Sequence, residues 1–172
     1  MDRFIKVWRQ GLSVDFIKNY SQNKENHFDF TINTTNGTKI YIDLMEIAIL
    51  NKRGYNKAKN SHNVGEYTDF VIKNIMKKSD KYSSKSDIFL LLYITDDKFN
   101  LSDSILHCLA YMLNIELRHV FHLISIVELN VNDTDKVIYL SPCNDTLNHD
   151  EYLKLRKNNI INLTDFHLST SY

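Results

Sequence analysis

At 172 residues, 43% of them apolar and 12% aromatic, the chain has the length of a single domain over residues 1–172 and enough apolar material for its own core, which excludes disorder as its description and removes any need for disulfides. Its 21 basic and 21 acidic side chains cancel, but residues 1–85 carry 15 basic and 9 acidic groups while residues 86–172 carry 6 and 12. Cys108 and Cys143 stand in no metal-like or redox-like spacing, the Met1-Asp2-Arg3-Phe4 start is unlike a signal peptide, and the longest apolar run, Ile88 to Ile94, is too short to span a membrane, so a cytoplasmic, membrane-free setting is expected.

Ile5, Trp8, Leu12 and Phe16 recur at helical spacing and predict a helix over residues 3–20, despite the weakening Gly11. An alternating run from His27 to Asn33, an Asn36-Gly37 turn signal and a second run from Thr38 to Ile47 predict a β-hairpin. Residues 51–62 are polar and basic and read as a loop. Asn63, with Glu66 three residues on, predicts a capped helix running to about Lys81 and burying Tyr67, Val71 and Ile75. Asp87 to Thr95 is apolar on both faces, the pattern of a central strand. Ser102 is expected to cap a helix that buries Ile105, Leu109 and Met112 and leaves His107, Tyr111 and Arg118 outside. Val120 to Leu129 and Lys136 to Ser141 are two further strands, and Asn148 with Glu151 opens a short C-terminal helix. The resulting order, α-β-β-α-β-α-β-β-α, is that of an α/β fold: a mixed central β-sheet flanked by helices, ending in a C-terminal β-hairpin and helix.

The hairpin register follows from its side chains, because a slip of one residue moves every side chain to the opposite face. A two-residue Asn36-Gly37 turn sets Phe30 against Asp43 and mixes charge with apolar residues on both faces. A three-residue loop, Thr35-Asn36-Gly37, closed by a glycine bulge, sets Ile32 against Ile40, Phe30 against Ile42 and Phe28 against Leu44. The second register sorts the residue types and is the expected one. It also places Asp29 opposite Asp43, with Cβ atoms ~5 Å apart. Two carboxylates that close share a proton or hold a cation, and Mg²⁺ or Mn²⁺ suits them, completed by water and phosphate oxygens. Without a cation they repel, so Asp43→Asn is expected to stabilise the metal-free protein. The alternatives are a solvated pair at the sheet edge, or an Asp43 paired with a lysine, since a charge inside an apolar strand needs a partner.

Over residues 1 to about 95 the chain resembles the PD-(D/E)XK, or restriction-endonuclease-like, superfamily. The resemblance rests on a helix, a hairpin carrying His27-Phe28-Asp29-Phe30 and then Ile42-Asp43-Leu44-Met45-Glu46, a helix and a strand. It implies a restriction-endonuclease-like core in which Asp29 and Asp43 hold Mg²⁺ and a lysine orients or activates the attacking water. The chain departs from the pattern at Met45, which occupies the lysine position. Lys39, on the Asp43 face, and Lys73, Lys77 and Lys81, four apart on the next helix, are the candidate replacements, with Lys77 taken as the catalytic one. Residues 51–85 hold nine Lys or Arg against Glu66, Asp69 and Asp80, and Lys73, Lys77 and Lys81 are the candidate contacts to DNA or RNA; a solvated helix face is the plainer account.

Other constellations carry less. His107, Cys108, His119 and His122 do not converge at zinc-like spacing. Asn130 to Asp135 lacks the glycine and closing glutamate of a calcium loop, and Asp96-Asp97 reads equally as a turn. Phosphate-binding glycine loops, nucleophile elbows and dinucleotide fingerprints are absent. Two functions remain: metal-dependent phosphodiester hydrolysis, or a non-catalytic module on the same fold that binds nucleic acid or protein. A homodimer or larger homo-oligomer stays open.

Overall fold

The computed structural model describes residues 5–6, 16–23, 28–47, 61–82, 87–94, 101–128 and 136–161. Strands β1 (Ile17–Gln22), β2 (Phe30–Thr34) and β3 (Lys39–Glu46) form an antiparallel meander. After the short β4 (Ser61–Asn63) and helix α1 (Val64–Ser79), strand β5 (Ile88–Tyr93) returns parallel to β3. Helix α2 (Asp103–Tyr111), prolonged by a π-helical turn over Met112–Glu116, leads to β6 (Leu123–Glu128), parallel to β5, and β7 (Lys136–Ser141) closes the sheet antiparallel to β6. Helix α3 (His149–Arg156) and β8 (Asn159–Ile161) follow. The six-stranded mixed sheet has the order β1-β2-β3-β5-β6-β7, and β4 pairs with β8 in a separate two-stranded ribbon.

Alternation along the strands fills two cores. Ile88, Leu90 and Leu92 of β5, with Ile124 and Ile126 of β6, point to the face covered by α1, α2 and α3. Ile32, Ile40 and Ile42 of the hairpin, with Leu91 and Val127, point to the other, where Ile5 packs. β5 is bonded on both sides by parallel strands, which is why it must be apolar on both faces. Among the described residues no helix is long and apolar enough to cross a membrane.

The hairpin adopts the register that sorts its faces: Ile32 pairs with Ile40 and Phe30 with Ile42. The three-residue loop closes through Gly37 N–H to the Thr34 carbonyl, with Gly37 at φ 86°, a left-handed conformation that strains any residue with a Cβ. The regular ladder stops at Phe30. Asp29 N–H donates to the Ile42 carbonyl, one residue out of register, so Asp29 is not the ladder partner of Asp43 expected for it, and Phe28 leaves the apolar face. It stacks instead between Tyr41, with ring centroids 4.6 Å apart, and Tyr82, at 4.9 Å.

Other expectations are corrected. The helix predicted over residues 3–20 holds at Ile5 and Lys6, but Ile17–Gln22 is a strand; residues 7–15 lie outside the described residues. β2 would otherwise expose a row of unpaired N–H and C=O groups, and pairing with residues 17–22 satisfies them, overriding a local helical period. Ser61 and His62, read as loop, belong to β4 because β8 supplies a partner nearly a hundred residues away in sequence. Asn63 does cap α1, but its side chain accepts from Gly65 N–H. Tyr111, expected outside, is buried and stacks on Tyr152 of α3 at 4.2 Å. Asn148 and Glu151 form a complete reciprocal capping box, and Arg156 reaches from α3 to make a bidentate ion pair with Asp69 of α1, 2.9 and 2.6 Å.

Candidate active site

The alternation that turns Ile40, Ile42 and Leu44 to one face turns Tyr41, Asp43 and Met45 to the face beneath α1. Asp43 is thus carried into the core at 4% exposure, where an uncompensated carboxylate would be too costly to persist. It is compensated twice on one oxygen. Lys78 Nζ lies 2.6 Å from Asp43 Oδ2, and the Tyr82 hydroxyl donates to the same atom at 2.7 Å. Burial and the Asp43 bond push the Tyr82 phenol far above the usual tyrosine range, so it stays protonated and remains a donor. Tyr82 is held by its stack on Phe28 and by an edge contact with Phe121 at 6.2 Å.

Asp29 lies at the hairpin's open end, exposed on its outer side. Its Oδ2 accepts the Leu44 N–H at 2.7 Å, taking the place of the backbone partner lost when the ladder slips. Partial burial raises its pKa above 3.8; the Leu44 bond offsets part of that, and hydrogen bonding and charge contact with Asp43 raise it further. Burial raises the Tyr93 phenol, and the Glu46 and Asp29 charges raise it further. Among the described residues no three or more His, Cys, Asp or Glu side chains converge as a metal cage. A divalent ion here would rest on Asp29, Asp43, water and substrate oxygens, the sparse protein ligation that Mg²⁺ commonly accepts.

The Asp29 shift has a sign that can be checked. An aspartate whose folded pKa is raised stabilises the fold fully below its unfolded pKa, near 3.8, and loses that contribution as pH rises through the folded value. Asp29→Asn keeps an acceptor for Leu44 and removes the charge. It is expected to melt above wild type at pH 7 without metal, with the gap closing as pH falls toward 4. Melting below wild type at pH 7 would show that the two carboxylates do not repel.

The candidate lysines are placed as follows. Lys39 is exposed near the hairpin loop, four residues or roughly 13 Å along β3 from Asp43. Lys73, Lys77 and Lys81 are exposed; Lys77 and Lys81 line an open recess of about 300 Å³ beside Leu44, Met45 and Glu46. The lysine on Asp43 is Lys78. Its place was readable: Tyr67, Val71 and Ile75 mark the buried stripe of α1, and Lys78 and Tyr82 continue that stripe by three and four residues. The lysines spaced by four, Lys73, Lys77 and Lys81, lie instead on the solvent side. Of the other candidates, His107 is exposed, His122 lies 3.4 Å from Asp87, and His119 lies 3.3 Å from the Ser141 hydroxyl. Residues 51–60, Asp96, Asp97 and the Asn130–Asp135 loop lie outside the described residues. Comparisons of the chain with protein-family models, curated proteins and solved structures return no match.

Proposed function

We propose that the domain is a metal-dependent phosphodiesterase acting on nucleic acid, on a restriction-endonuclease-like core. The observation that carries this reading is the convergence of Asp29, Asp43 and a lysine amine at the mouth of the β2–β3 hairpin. Met45 leaves the usual lysine position empty of charge, and Lys78 from the following helix supplies an ammonium to the same carboxylate. Asp29 and Asp43 would hold Mg²⁺ or Mn²⁺, which when bound lowers the pKa of a water and stabilises the charge developing on phosphorus. Lys78 orients that water or the phosphate oxygen, and Lys73, Lys77 and Lys81 present a basic row to the strand of DNA or RNA.

One observation favours a second reading, a non-catalytic binding module: Asp43 Oδ2 already accepts from both Lys78 and Tyr82, a closed arrangement that is stable without metal. A thermal melt decides between them. Ion at 100 times its dissociation constant stabilises a folded-only site by ~2.7 kcal/mol, roughly 5–10 °C for a domain of this size. Wild type is expected to shift by that amount with Mn²⁺, Asp43→Asn not at all, and cleavage of a labelled oligonucleotide should follow the same pattern. Equal shifts in both proteins, or none in wild type, would leave the binding module.

A further inference from the structure

The recess that Lys78 also lines holds two cations to which the hydrolytic reading gives only a general contact with the strand. Lys78 is committed to Asp43, but Lys77 in the last turn of α1 and Lys81 just past its end form no ion pair with any described residue. Like charges at this spacing repel, and a bound anion removes that cost, as a cation does for the aspartates. Both line the recess with Glu46 and Asn74, while Met45, on the helix side of β3, supplies an apolar side. Its volume, about 300 Å³, is at the lower end for small-molecule sites. Lys73, the third member of the exposed row, does not line it.

We propose that this recess is a nucleotide subsite: Lys77 and Lys81 hold a phosphate and the Met45 side seats the attached sugar and base, next to the phosphate presented to Asp43. The inference rests on the hydrolytic reading for its choice of a nucleotide, but the binding itself needs no metal. Two cations beside an apolar wall suit an anion that carries an apolar ring, and Glu46 disfavours a second phosphate in the same space.

The experiment titrates metal-free protein, in chelator at low salt, with thymidine 5′-monophosphate, inorganic phosphate and thymidine, followed by calorimetry and by the lysine side-chain NMR signals. Thymidine monophosphate is expected to bind at one saturable site and to move the Lys77 and Lys81 signals. Lys77→Ala and Lys81→Ala should each weaken it about tenfold, the usual worth of a charged hydrogen bond; Lys73→Ala removes the same charge from the strand-binding row but outside the recess, where a single nucleotide does not reach, and should stay within about twofold. Equal losses in all three variants would reduce the effect to a diffuse basic face and overturn the proposal, as would the absence of saturable binding. Inorganic phosphate binding as tightly as the nucleotide would overturn the assignment of sugar and base. Nucleotide binding in a protein that shows no metal shift would sink the hydrolytic reading alone, whereas a metal shift without nucleotide binding would sink this one alone.

Discussion

Lys78→Met is expected to lower the proposed phosphodiester hydrolysis by about 10²–10⁴-fold, the usual contribution of a positioned proton-transfer or charge-stabilising group. The amine sits 2.6 Å from Asp43 Oδ2, so it reaches whatever that carboxylate positions, and methionine fills much the same space without charge. Lys39→Met should leave turnover unchanged, since its side chain is exposed far along β3. Lys77→Met should raise KM with kcat nearly kept, the mark of lost uniform binding. Rates measured per folded molecule, below the melting range of each variant, separate chemistry from stability. A Lys78→Met enzyme with wild-type kcat would remove the lysine from the reaction and leave the carboxylates without their third member.

Asp43→Asn is expected to destabilise the metal-free protein, the reverse of what two opposed carboxylates suggest by themselves. Repulsion from Asp29 is one term; attraction to Lys78 and the Tyr82 hydroxyl bond is another, and the second pair lies deeper. Removing one partner of a buried ion pair costs ~3–5 kcal/mol. The Lys78 side chain is 22% exposed and can swing its amine toward water, so about 2 kcal/mol is the expected loss, or roughly 4–8 °C. Asp43→Asn combined with Lys78→Met should recover most of it, because no charge is then stranded. Thermal melts of the two single variants and the double one in chelator measure the coupling. If Asp43→Asn melts at or above wild type, repulsion dominates and the Lys78 bridge contributes little.

What the residues disclosed about this site follows how local each determinant is. The hairpin register was legible because only one pairing sorts Ile32, Ile40 and Ile42 from Asp29 and Asp43, and that sorting is contained in twenty consecutive residues. The slip at Asp29 was not, since it depends on Phe28 finding Tyr41 and Tyr82 on the helix side. Residues 17–22 carry no clear alternation, and only the free edge of β2 makes them a strand. The β4–β8 ribbon joins two three-residue segments too short for any periodicity. Lys78 stands on the buried stripe of α1, yet a lysine at a helix end ordinarily belongs to water, and only Asp43, thirty-five residues back, draws it inward.

The meander and the β6–β7 hairpin each close over short stretches of chain, whereas β3 meets β5 only after a crossover, with Tyr41 opposite Ile88 and Asp43 opposite Leu90. Contacts of long sequence separation bear the loop-closure entropy before they return any energy, and so tend to form late. The carboxylate of Asp43 therefore sits on the seam where the meander meets β5, a strand that joins each of its neighbours only through a crossover, and Lys78 and Tyr82, on the first crossover, reach it when that seam closes. The site belongs to the crossover contacts rather than to either hairpin, and a chain with only its hairpins formed would carry every residue of the constellation without the constellation.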